Sequence, residues 1–74
     1  MALAENLRNL RAARYLSQSE LAAKAGVSKP TIARLERGDY FPHPRTIRAL
    51  AEALGVEPKE LATPEEVLRA KSAA

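Results

Sequence analysis

Leu3, Leu7 and Leu10, followed by Arg11 and Arg14, recur at intervals of three and four residues, the repeat of one face of an α-helix. The pattern predicts a first helix from about Leu3 to Arg14, closed by Tyr15 and Leu16. Ser17-Gln18-Ser19-Glu20 then has the spacing of a capping box, in which the serine hydroxyl accepts from the glutamate amide and the carboxylate reaches back. A second helix therefore starts at Gln18, buries Leu21, Ala22 and Ala25, and stops at Gly26, which is free to take the left-handed conformation of a sharp reversal. Val27 is the apolar plug of that turn. Ser28 caps a third helix with Lys29 and Pro30 in its first turn, where an amide hydrogen would be unpaired anyway. This helix continues through Thr31, Ile32, Ala33, Arg34, Leu35 and Glu36, and Gly38 ends it.

Asp39-Tyr40-Phe41-Pro42-His43 reads as a loop. Pro44 opens a fourth helix that buries Ile47, Leu50, Ala51 and Leu54 and stops at Gly55. Pro58 begins a short fifth helix containing Leu61. Thr63-Pro64-Glu65-Glu66 repeats the cap-proline-acid signature and starts a last helix through Val67 and Leu68 to about Lys71, with Ser72-Ala73-Ala74 as a frayed tail. Strand-like alternation is sustained nowhere, and alanine is abundant. The fold class is all-α: five short helices and a short C-terminal helix in one domain spanning residues 1–74.

A chain of 74 residues has room for one small core, and helix packing with self-association must stabilise it. It has no cysteine, and its single histidine, His43, has no converging carboxylates, so neither a disulfide framework nor a zinc site is expected, nor any cofactor. No run of 18 apolar residues occurs, and the N-terminus lacks a signal-peptide pattern; the expected location is cytoplasmic, with no membrane partner. The net charge of +3 is unevenly spread: nine Lys/Arg oppose four acids from Met1 to Ala51, whereas three oppose five from Glu52 onward. The basic excess lies in the capped-helix region, the footprint of a polyanion partner.

Two helices joined through Ala25-Gly26-Val27-Ser28 cross steeply over a core of Leu21, Ala22, Val27, Ile32 and Leu35. Ala22 suits the crossing because a larger side chain would push the helices apart. The outer face of the third helix is left with Lys29, Pro30, Thr31, Ala33, Arg34 and Arg37, and such a helix fits the major groove of DNA. From Leu7 to Leu61 the chain resembles the Cro- and phage-repressor-type (XRE-like) helix-turn-helix family. The residues that carry the resemblance are Leu7-Arg8, Leu16-Ser17-Gln18, Glu20-Leu21-Ala22, Gly26-Val27-Ser28, Thr31-Ile32 and Leu35-Glu36-Arg37-Gly38. Beyond the loop they are Pro42, Thr46-Ile47, Leu50-Ala51, Leu54-Gly55-Val56 and Leu61. The implied fold is the lambda-repressor-like domain, with its motif at residues 17–37.

The resemblance implies roles. Lys29, Pro30, Thr31 and Arg34 match the base-reading positions, with Arg34 the foremost reader and Lys29 the second; phosphate contact alone is the competing role for these two. Thr31 offers a methyl to thymine or a hydroxyl to phosphate. Pro30 stands where relatives often carry a polar reader and contributes shape only. Gln18 matches a phosphate-holding glutamine that also braces a neighbouring reader, and Arg11, Arg37, His43 and Arg45 complete the phosphate set, helped by the amides after His43. Arg11 and Glu36 match a pair that locks the third helix to the first. Tyr40 and Phe41 form either a lid on the core or a DNA- or partner-facing surface, and Arg8, Arg14 and Lys24 read as solvated face.

Three or four readers specify few base pairs, so two-fold pairing on a palindromic operator is expected, as the resemblance also implies. The candidate dimer contact lies within residues 54–70, at Leu54, Val56, Leu61, Val67 and Leu68; the same leucines suit an internal core equally well. The acids Glu20, Glu36, Asp39 and Glu52 are explained by caps, pairing or surface, so no enzyme is expected. The expected function is a transcriptional regulator of double-stranded DNA, a repressor by default. The alternatives are an antitoxin, a restriction-modification controller, or an adaptor for an unidentified protein partner.

Overall fold

The computed structural model describes residues 2–73. Helix α1 spans Ala2–Ala13, α2 Gln18–Ala25, α3 Lys29–Arg37 and α4 Pro44–Leu54; a single 3-10 turn, Pro58–Glu60, precedes α5, Pro64–Ala73. The expected helix at Pro58 is thus only one turn, and Leu61 lies just past it. A proline and two charged residues carry no apolar stripe to bury, so nothing extends that turn into an α-helix. In contrast, α5 runs through Ser72 and Ala73, where a frayed tail was the expectation, while Ala74 lies outside the described residues.

Local chemistry sets the boundaries. The Glu20 amide donates to Ser17 Oγ at 3.0 Å and the Ser17 amide donates to Glu20 Oε1 at 2.8 Å, closing the capping box. Those bonds hold the Glu20 carboxyl below its ordinary pKa. Gly26 adopts φ +72°, which lets its own amide and that of Val27 return to the Ala22 carbonyl. A Cβ placed there meets nothing within 4 Å, so backbone conformation and not space selects glycine in this turn. The α1–α2 junction uses the same region without glycine: Tyr15 sits at φ +55° with its side chain 94% exposed.

Helix α3 packs against both α1 and α2, and α2 rests on α4. Between them Leu3, Leu7, Leu21, Ala22, Ile32, Leu35, Ile47, Leu50 and Ala51 fill one core, which Leu54, Leu61 and Ala62 close from the far side. Of the two placements expected of them, Leu54 (3% exposed) and Leu61 (fully buried) take the internal core and leave no surface for the dimer contact. Val56 and Val67 are half-buried against the core, and Leu68 is 64% exposed. Phe41 is the lid, packed on the core beside buried Pro42, whereas Tyr40 is exposed.

Candidate nucleic-acid interface

Glu36 is the hub from which the outer face of α3 is positioned. It follows Leu35 on the inward side of the helix and is only 6% exposed, the one buried charged residue among the described residues. Arg11 donates to it twice, Nε to Oε2 at 2.6 Å and Nη2 to Oε1 at 3.0 Å, a fork matched to a carboxylate. Arg11 Nη1 also donates to the Leu16 carbonyl at 2.8 Å, tying down the α1–α2 junction. Gln18 Nε2 donates to Glu36 Oε1 at 3.1 Å. Burial pushes the Glu36 carboxyl up, but the hydrogen bonds from Arg11 and Gln18 and the charges of Arg11 and Arg8 outweigh it, leaving a net lowering. The Arg11 guanidinium is held above its usual value, chiefly by its hydrogen bond to Glu36.

The third helix begins with a second serine cap. Ser28 Oγ accepts from the Thr31 amide at 3.3 Å and lies 2.8 Å from Thr31 Oγ1, a hydroxyl pair in which either oxygen can be the donor. Lys29, Pro30 and Arg34 are exposed on the same helix, and Thr31 is half-exposed. Neither Lys29 nor Arg34 has a hydrogen bond or ion pair among the described residues. Arg37 does: its Nε and Nη2 donate to Asp39 Oδ2 at 3.2 and 2.9 Å.

Two expectations change. The amides after His43 are not free for an anion, because that of Arg45 donates to His43 Nδ1 at 3.1 Å while those of Thr46 and Ile47 donate to the His43 carbonyl. His43 is the N-cap of α4, and Arg45 has only its exposed side chain to offer. Arg8 and Arg14 are not merely solvated face. Arg8 Nη1 donates to the Glu36 carbonyl at 3.2 Å, and Arg14 Nε donates to the Leu54 carbonyl at 2.6 Å, each meeting a carbonyl that the end of α3 or α4 leaves unpaired. The partners lie 28 and 40 residues away in sequence, so no local pattern marks them.

A capped helix α2, a left-handed glycine turn and a helix α3 with a basic outer face and a buried anchoring acid define a helix-turn-helix DNA-binding domain. The chain matches the family described as "Helix-turn-helix domain" over residues 2–63. It belongs to that family, among the helix-turn-helix transcriptional regulators of the XRE/Cro-repressor superfamily. It is 42% identical over 59 residues to the uncharacterized HTH-type transcriptional regulator y4dJ of Sinorhizobium fredii, covering 80% of this chain and 77% of that one. It is 32% identical to the immunity repressor protein of Bacillus phage phi105, covering 99% of this chain but only 51% of the repressor. The restriction-modification controller protein C.AhdI of Aeromonas hydrophila superposes with a TM-score of 0.79 at 38% identity, over 81% of this chain and 91% of the controller. Among the described residues there is no helix long and apolar enough to cross a membrane and no cluster of three or more His, Cys, Asp or Glu placed to hold a metal.

Proposed function

We propose that this protein is a cytoplasmic repressor that reads a palindromic operator as a homodimer. The observation that carries this reading is the contrast along α3: Glu36 anchors the helix to the scaffold, while Lys29 and Arg34 stand exposed with their donors uncommitted. Arg34 offers a planar fork to the O6/N7 edge of guanine, and Lys29 a point charge to a similar edge. Thr31, its hydroxyl turned to Ser28, gives its methyl to thymine, and Pro30 gives shape alone. Gln18, the remaining donors of Arg11, and the side chains of Arg37, His43 and Arg45 hold phosphates; Arg37 exchanges Asp39 for DNA.

A single half-site of so few readers is too short to be found in a genome, since each mismatch costs only about 1–3 kcal/mol. A second copy doubles the readout. The surface proposed for it is a groove of about 380 Å³ between α4, the 3-10 turn and α5, lined by Ile47, Pro58, Ala62, Val67 and Leu68. Arg48 and Lys59 also line it, and the first turn of α5 carries Glu65 and Glu66, so a two-fold arrangement sets basic against acidic edges.

Selection of bound duplexes from a random pool tests the reading. Enrichment of a palindrome with half-site centres about 34 Å apart, lost in Arg34→Ala, supports it. Salt-sensitive binding that enriches nothing and is indifferent to Arg34→Ala refutes base reading. The resemblance to C.AhdI favours one subclass, a restriction-modification controller, and an operator found upstream of an endonuclease gene is its distinguishing result.

A further inference from the structure

The buried carboxylate of Glu36 does more than anchor α3, because it also holds the side chain of Gln18 at the first position of α2. A carboxylate can only accept hydrogen bonds. Gln18 must therefore turn its amide nitrogen, not its carbonyl oxygen, toward Glu36. One amide hydrogen is spent on Oε1 at 3.1 Å and the second remains available. A freely rotating glutamine presents its oxygen as readily as its nitrogen, and the oxygen repels a phosphate.

Two further facts make this arrangement specific. The two bonds from Arg11 fix the plane of the Glu36 carboxylate, so the acceptor that orients Gln18 is itself immobile. Arg11 also neutralises the carboxylate, and Arg8 donates to the backbone of the same residue, so an anion can approach Gln18 without facing an uncompensated negative charge. One residue of the recognition helix thereby sets both the seat of α3 and the donor that α2 presents to the DNA backbone.

We propose that Glu36 is a positioning residue for a DNA-phosphate contact made by Gln18: its carboxylate selects the one carboxamide orientation that donates to a phosphate oxygen. This rests on the reading above that the start of α2 lies on the DNA backbone. Phosphate contacts are independent of sequence, so a mixed-sequence duplex at low salt is a sufficient probe and no operator is needed.

The test is a double-mutant cycle on duplex affinity using Gln18→Ala, Glu36→Gln and both together, at a temperature where each variant's melting curve shows it folded. In the wild-type background Gln18→Ala weakens binding roughly tenfold, the scale of one hydrogen bond to a charged group. In the Glu36→Gln background the same change costs less than about twofold, because a carboxamide at residue 36 donates as well as accepts and no longer selects one orientation of Gln18. An equal penalty in both backgrounds overturns the proposal and leaves Glu36 as a support of the fold alone. Should Glu36→Gln unfold, the side-chain amide resonances of Gln18 in the wild-type chain decide. A hydrogen bonded to Glu36 shifts as that carboxylate titrates in acid, whereas a free carboxamide does not, and its constancy overturns the proposal. Absence of any duplex binding by the wild-type chain overturns the DNA reading first and this one with it; wild-type binding with an unchanged Gln18 penalty overturns only this one.

Discussion

Replacing Arg11 by methionine keeps an unbranched apolar stem while removing the guanidinium that satisfies Glu36. The cost follows from how the pair is buried. A fully exposed ion pair contributes about 0–1 kcal/mol, and breaking a fully buried one costs about 3–5 kcal/mol, because a charge is left without its partner. Here the Glu36 side chain is 5% exposed and that of Arg11 18%, which places the pair nearer the buried limit. Loss of the bond from Arg11 to the Leu16 carbonyl adds to this. We expect Arg11→Met to cost about 3 kcal/mol in all. A domain of this length has on the order of 4–11 kcal/mol of stability, so the melting temperature should fall by roughly 12–24 °C.

The dependence on pH sharpens the test. In the wild-type chain the Glu36 carboxyl is lowered from its ordinary value, so its contribution is complete above the unfolded value of about 4.3 and is lost as pH falls through the lower folded value. Without Arg11, burial dominates and raises the folded value above the unfolded one. The ionised carboxylate then destabilises the variant at neutral pH, and protonation relieves the penalty as pH falls through the raised value. The gap between the two proteins should therefore be widest at about pH 7 and should narrow at about pH 4. Urea unfolding followed by helical circular dichroism measures both gaps. A loss under about 1 kcal/mol, or a loss of equal size at both pH values, would refute the reasoning.

Arg34→Ala removes an exposed side chain without an internal partner, so stability should change by less than about 0.5 kcal/mol, while affinity for the selected duplex should fall by about 1–3 kcal/mol with relaxed preference at one base pair; a melting shift accompanying the loss would show that the effect runs through the fold. Ser17→Ala opens the capping box and should cost about 0.5–2 kcal/mol in denaturant unfolding, an unchanged midpoint counting against the cap. Tyr15→Gly should raise stability by up to about 1 kcal/mol, because the left-handed backbone penalises a side chain that packs on almost nothing; a lowered melting temperature would show that the tyrosine makes a stabilising contact.

Much of the fold was legible because its signals are local. The boundaries of α2 and α3 follow from Ser17 with Glu20, from Ser28, and from Gly26 and Gly38, each acting within a few residues along the chain. The candidate interface was legible for a related reason: once Ile32 and Leu35 are assigned inward, the period of the helix leaves Arg34 outward, and Lys29 is exposed as the first residue of the helix. Tyr15 escaped this reading, because a left-handed residue without glycine has no marker in sequence. Gln18 was legible as a residue of the motif but not as a partner of Glu36, since that bond depends on how two helices cross.

The sequence by itself determined the helices, their caps, the glycine turn and the sidedness of α3, because each depends on short-range steric and hydrogen-bonding rules that the chain carries wherever it is folded. Only the tertiary structure decided that Leu54 and Leu61 lie inside while Leu68 stays outside. Only there do Arg8 and Arg14 find helix-end carbonyls, and only there does Glu36 gather Arg11 and Gln18. The physical reason is shared: apolar leucines and long polar side chains are chemically suited to several environments, and which one they occupy is settled by what the packing of distant helices brings within a few ångströms.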